Sequence, residues 1–253
     1  MTTEQRVAIV TGGSRGIGKA IVQALSEEGL QVVVNYRANA REAQQGVERL
    51  NAAGGRTLAV QADVGDPDDA RRLVETTWRK LGRIDVLVNN AGVHVPGVRV
   101  ADTRPQDWDH ILRVNLTAPF RLIQAVLPAM QKQGGGHIIN LSSNVTQRLP
   151  ALFGAYAVSK VGIEALTRIL AKEEGVNGIR VNAIAPGPIN TDMLGESLQT
   201  MGPERAQAFI RSVPLGRMGE PAEIAAVARF LVSPAASYLT GQTLYVNGGG
   251  PGG

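Results

Sequence analysis

At 253 residues the chain is long enough to bury a full core in one large α/β domain. With 43% hydrophobic and 19% charged residues it lies far from the regime of disorder, and the absence of cysteine excludes disulfides, thiolate nucleophiles and Cys-ligated zinc or iron–sulfur centres. Lys and Arg total 26 against 22 Asp and Glu, a net charge of +4 without any basic block, so no nucleic-acid partner is expected. The histidines are His94, His110 and His137, no two of them four apart, so no metal site is expected either. The opening MTTEQRVAIVTGG has neither signal-peptide nor transit-peptide character, and apolar stretches break well before a membrane-spanning length. The cytoplasm is the expected location.

In chain order, short β-branched runs fall at 7–10, 32–34, 57–60, 86–88, 138–141, 181–184 and 244–246. Their continuous apolar character reads as strands buried on both faces. Amphipathic segments at 19–28, 41–51, 68–80 and 155–174 lie between them. Strand and helix taking turns along the whole chain predicts a doubly wound α/β fold in a single domain with a seven-stranded parallel sheet. No Pro-, Gly- or Ser-rich linker divides the chain, and its one low-complexity piece is the glycine-rich end, 248–253.

Directly after the first strand stands TGGSRGIG, residues 11–18, with Gly12, Gly16 and Gly18 in a strand-to-helix turn. Such a turn lets backbone approach a pyrophosphate and aims helix N–H groups at it. Asp63 after the third strand offers a carboxylate to an adenine amino group, with helix capping as the alternative reading. Asn89-Asn90-Ala91-Gly92 closes the fourth strand with two amides and room for a ribose. The second strand ends Asn35-Tyr36-Arg37, where an acid would favour NAD. Arg37 and Arg15 instead offer two guanidinium forks to a 2′-phosphate, which predicts NADP(H).

Tyr156-Ala-Val-Ser-Lys160 opens a helical pattern, and the i, i+4 spacing puts phenol and ammonium on one face. A nearby cation favours phenolate, so the Tyr156 pKa is expected to fall. Ser143, thirteen residues earlier at the end of the fifth strand, offers a hydroxyl to a substrate carbonyl.

With these motifs, PGPINT at 186–191 and TGQTLYVNGG at 240–249, the whole chain resembles the classical short-chain dehydrogenase/reductase family. The resemblance implies a Rossmann-type fold with Tyr156 as general acid, Lys160 assisting it and holding the nicotinamide ribose, Ser143 orienting the carbonyl and Asn115 maintaining a proton-relay water. It implies cofactor contacts from Ser14, Arg15 and Ile17 in the glycine turn, from Asn35, Tyr36 and Arg37, from Asp63 and Val64, and from Asn90, Ala91 and Gly92. Thr191 and the backbone near Ile189 would bind the carboxamide, with Pro186-Gly187 shaping the turn.

Within the family the pattern is most similar to 3-oxoacyl-acyl-carrier-protein reductases. The basic residues these use for the acidic carrier are absent here, where the chain reads Gln133-Gly134-Gly135 and Val176-Asn177-Gly178. Lys132, Arg148, Lys172 or Arg180 are the candidates to compensate. The departure favours a free ketone, and carrier-linked substrate is the alternative. A lid over 190–214, with Met193, Leu194, Leu198, Met201, Phe209 and Ile210, faces a wall from 93–95, Val145 and 149–153, a composition suited to a hydrophobic ketone or β-ketoester. A non-catalytic nucleotide sensor on the same fold is the contrasting reading, opposed by the retention of Ser143, Tyr156 and Lys160 together. A homotetramer is expected from surplus apolar residues on 155–174 (Val158, Val161, Ile163, Leu166, Ile169, Leu170) and on the helix carrying Leu122, Ile123, Val126, Leu127 and Met130. A second interface is expected near 222–231 and 244–246.

Overall fold

The computed structural model describes residues 5–95 and 97–250, with the side chains of Met193, Glu196, Ser197, Thr200 and Met201 outside that description. The side chains of the two methionines named above and the last three residues of the glycine-rich end therefore lie outside that description.

Each apolar run forms a strand: β1 Val7–Val10, β2 Gln31–Tyr36, β3 Arg56–Gln61, β4 Val86–Asn89, β5 Gly136–Leu141, β6 Ile179–Pro186 and β7 Thr243–Val246. They pair in parallel in the order β3-β2-β1-β4-β5-β6-β7, with Ile9 in register with Val33 on one side and Leu87 on the other. The helices are α1 Gly16–Glu27, α2 Ala40–Ala52, α3 Pro67–Leu81, α4 Pro105–Leu112, α5 Ala118–Gln133, α6 Val145–Arg148, α7 Gly154–Glu174, α8 Asp192–Met201, α9 Pro203–Arg211 and α10 Pro221–Leu231.

Alternate strand residues feed two cores, which is why the runs carry no polar face. Ala8, Val10, Val32, Val34, Val86 and Val88 pack against α1, α2 and α10. Ile9, Val33, Leu87, Ile138 and Val181 pack against α3, α5 and α7. The strand order reverses between β1 and β4, and a doubly wound sheet opens its crevice there, beyond the carboxyl ends of the strands.

Local chemistry sets the helix ends. Asp66 caps α3 by accepting from the Asp68 and Asp69 N–H groups, Pro67 occupies the first turn, and Gly82 closes the helix at φ +72°. In contrast, α1 has no side-chain cap, so its first-turn N–H groups stand ready for an anion. Between α4 and α5 one turn, Arg113–Thr117, is π-helical and carries Asn115.

The α5 stripe differs from expectation. Leu122, Ile123, Val126 and Met130 are all buried in the second core, and Leu127 packs against it, so this helix spends its apolar face on its own sheet. On α7 the surplus is present: Ile163 and Leu170 point inward while Val158, Val161 and Ile169 are exposed. Among the described residues no helix is long and apolar enough to cross a membrane.

Candidate active site

Thr11, at the end of β1, accepts at its hydroxyl from the N–H groups of Asn90 and Ala91 at 2.9 and 3.0 Å. Asn90 replies by donating from Nδ2 to the Thr11 and Gly12 carbonyls at 2.8 and 3.1 Å. The ends of β1 and β4 are thereby clamped across the crevice. Gly12 and Gly16 take positive φ (+62° and +53°), and a Cβ on Gly18 would collide with the Gly12 carbonyl.

Asn35 is buried, and its amide is spent on protein. It accepts from the Gly12 N–H at 3.3 Å and donates to the Ala62 carbonyl at 3.0 Å. Its side chain ties the glycine turn to the end of β3 and is not offered to a ligand. Tyr36 is half-buried and Arg37 exposed; the Arg37 guanidinium has no ion-pair partner among the described residues. Arg15 lies 3.7 Å from Asp192 at the start of α8, which joins the glycine turn to that helix. Asp63 uses Oδ1 to accept from the Gly65 N–H at 2.9 Å, while Val64 is buried beside it. Ser14 and Ile17 are half-buried within the glycine turn.

These residues fit a dinucleotide. The uncapped first turn of α1 supplies donors for a pyrophosphate, and Gly92 leaves open the space that a side chain would fill, 3.5 Å from Asn115 Oδ1 and 3.7 Å from Lys160 Nζ. On the far side, Pro186 ends β6 and Gly187 donates to the Val246 carbonyl at 3.0 Å. A Cβ on Gly187 would meet Asn247 at 2.7 Å, so only glycine turns the chain here. The turn carries buried Ile189 and then Thr191, which caps α8 and whose methyl group would be 3.5 Å from a Cβ on Gly16. The 186–191 segment is thus brought over the glycine turn.

Ser143 and Lys160 converge with Tyr156 beyond β5. Lys160 is buried, donates to the Leu141 carbonyl at 2.6 Å and stands 5.6 Å from the Tyr156 ring centre. Burial brings its pKa down to about 8. One acceptor uses one of its three N–H donors, leaving two. The expected lowering of the Tyr156 pKa is corrected: burial disfavours phenolate and raises it, with the Ser143 hydroxyl acting in the opposite direction. Asn115 accepts from the Val93 N–H at 2.8 Å and donates to the Val93 carbonyl and to Ser159 Oγ. Its side chain locks the loop after β4 onto α7.

His94 joins this group without having been singled out for it. Its ring meets Tyr156 edge-on at 5.0 Å and stacks on Phe153 at 5.3 Å, and burial lowers its pKa. Nε2 is buried without a partner. The signal was its position two residues past the NNAG turn.

Val100, Leu149 and Leu152 are exposed apolar residues at the rim. Within 190–214, α8 and α9 meet at Gly202, and Leu194, Leu198, Phe209 and Ile210 are half-buried. Of the compensating cations, Arg180 is committed to the Leu231 and Leu239 carbonyls. Arg148, Lys132 and Lys172 are exposed, with Arg148 at the end of the short helix that follows Ser143.

A doubly wound sheet with a glycine turn at its switch point, and Ser, Tyr and Lys gathered beside it, defines an oxidoreductase. The family model described as enoyl-(acyl carrier protein) reductase matches residues 12–250. A 3-oxoacyl-[acyl-carrier-protein] reductase of Synechocystis is 42% identical, covering 96% of each chain. Two solved structures superpose over nearly the whole chain. A blue fluorescent protein from a metagenomic library, in complex with NADPH, is 38% identical with a TM-score of 0.90, covering 98% of this chain and 99% of that one. A 7α-hydroxysteroid dehydrogenase in complex with NADH and 7-oxo glycochenodeoxycholic acid is 38% identical with a TM-score of 0.92, covering 98% of this chain and 95% of that one. The chain belongs to the short-chain dehydrogenase/reductase family.

Proposed function

We propose that this protein is a cytoplasmic, NADPH-dependent carbonyl reductase acting on a hydrophobic ketone or β-ketoester, built as a single domain with a lid over 190–214. The observation that carries the reading is the convergence of Ser143, Tyr156 and Lys160 beside a glycine turn with an uncapped helix. Arg37, without an acidic rival at Asn35, is the principal partner for a 2′-phosphate, and Arg15 is the second. When bound, the dihydronicotinamide supplies a hydride to the carbonyl carbon.

The residues of the chain handle the oxygen. Ser143 and Tyr156 donate hydrogen bonds to it as negative charge develops, and Tyr156 then gives up its proton. Burial keeps the phenol protonated, which suits an acid waiting for an alkoxide. Lys160 is anchored at Leu141 and turns its remaining donors toward the space above Gly92, where a ribose would sit. Apolar residues at the rim and in the lid exclude water and select an apolar substituent.

A panel of β-ketoesters, aryl ketones, sugars and an acyl-carrier thioester, assayed with NADPH, tests this. Turnover of β-ketoesters or aryl ketones ahead of the rest supports the reading, and no turnover of any ketone overturns it. The second reading, a 3-oxoacyl-acyl-carrier-protein reductase, is favoured by the Synechocystis relative. It needs Arg148, Lys132 or Lys172 to meet the carrier, because Gln133 is pinned to Ile84 and Asn177 to Glu174. The assembly proposed is a homotetramer, with exposed Val158, Val161 and Ile169 of α7 in the first interface. A sedimentation mass of one subunit would refute it.

A further inference from the structure

Glu164 stands one helical turn beyond Lys160 on α7, is 6% exposed, and has no part in the proton or hydride steps. Its carboxyl group meets hydroxyls from three separate elements. Ser142 Oγ donates to Oε1 at 2.6 Å, and Thr146 Oγ1 donates to the same oxygen at 2.8 Å. Tyr245 of β7 brings its hydroxyl to 3.3 Å from Oε2 and 3.1 Å from Thr146 Oγ1. Arg168 is 3.9 Å from Oε2 and largely exposed, so the hydroxyls supply the compensation. A buried carboxyl is costly unless hydrogen-bonded, which makes this arrangement a stiff one.

Ser142 and Thr146 bracket Ser143. The Thr146 hydroxyl also lies 2.9 Å from the Ser143 carbonyl, and the Val145 N–H donates to Ser143 Oγ at 3.4 Å. Upstream, the Ser142 N–H donates to the Ile184 carbonyl at 2.7 Å, so the segment is held from β6 on one side and from Glu164 on the other. We propose that Glu164 is a positioning residue that sets Ser143 against Tyr156 through Ser142 and Thr146, and couples this segment to the edge strand β7 through Tyr245. The inference rests on the reading of Ser143 as the group that orients the carbonyl.

Glu164→Gln keeps the size and replaces one accepting oxygen by an amide nitrogen that donates and cannot accept. The result expected is a kcat loss of between about 10- and 100-fold, with KM for the ketone and the NADPH dissociation constant within about twofold. Ser143→Ala then costs less in the Glu164→Gln background than in the wild type, since the damage is shared. Amides of 142–149 exchange faster in Glu164→Gln. Tyr245→Phe gives a smaller loss in the same sense and carries the same cycle if Glu164→Gln does not fold. An unchanged kcat in both variants, or losses that multiply independently, overturns the proposal. If the wild type reduces no ketone, the reductase reading fails by itself; the exchange measurement then decides for Glu164, unchanged protection of 142–149 being the negative result.

Discussion

The Lys160 ammonium, enclosed between the Leu141 carbonyl at 2.6 Å and the Tyr156 ring at 5.6 Å, is a buried charge with one protein acceptor. Its pKa is depressed to about 8 from an ordinary value near 10.5, so the unfolded chain binds this proton more tightly. For a depressed base the penalty is fully present below the folded pKa and is relieved as pH rises from about 8 towards 10.5, with an upper bound of about 3 kcal/mol. Lys160→Met is therefore expected to lose reduction while raising the melting temperature of the ligand-free protein at pH 7, an advantage that shrinks by pH 10. Thermal unfolding across that range checks it. A lower melting temperature at pH 7 contradicts the account.

His137, on β5, shows the same linkage at acid pH. Its Nδ1 is buried without a partner, and burial first, then the charges of Arg180 and Arg6, bring its pKa to about 4. The unfolded imidazole takes a proton near pH 6.5 while the folded one stays neutral, so stability falls as pH drops from about 6.5 to about 4. This group contributes about 3 kcal/mol at most to that loss. His137→Gln should flatten the pH dependence of the urea midpoint in this window. Parallel curves for variant and wild type would count against it.

On the proposed mechanism, removing the Tyr156 hydroxyl takes away an oxyanion donor and the transferable proton together. Tyr156→Phe is expected to keep the fold and NADPH affinity while lowering kcat by roughly 10²-fold or more. Steady-state kinetics and a fluorescence titration separate the two, and near-normal turnover would mean that another acid acts.

The cofactor preference proposed above rests on two arginines in different circumstances. The Arg37 guanidinium has no ion-pair partner among the described residues, whereas Arg15 is shared with Asp192. Arg37→Ala should weaken NADPH more than Arg15→Ala does, and the double variant should bind NADPH and NADH alike. Asp192→Asn frees Arg15 and should tighten NADPH by no more than about fivefold, because an exposed pair at 3.7 Å is worth about 1 kcal/mol or less. An unchanged preference in the double variant would refute the assignment.

Much of this protein was determined by its sequence alone, through short-range chemistry. Continuous β-branched runs have to be buried on both faces, which makes them parallel strands under helices. Gly12, Gly16 and Gly18 are required where φ is positive or where backbone meets backbone, and Tyr156 and Lys160 share a face because four residues make about one helical turn. Only the tertiary structure decided what depends on burial and on distant neighbours. Phenol desolvation outweighed the Ser143 hydrogen bond at Tyr156, so its pKa moved opposite to the sequence-based expectation. Asn35 turned inward to Gly12 and Ala62, the apolar stripe of α5 was consumed by its own sheet, and His94 came to rest on Tyr156. Glu164 reads in sequence as an ordinary solvated helix acid. Its partners Ser142 and Tyr245 are 22 and 81 residues away, and no local pattern encodes a meeting that exists only once α7 has packed against the ends of β5 and β7.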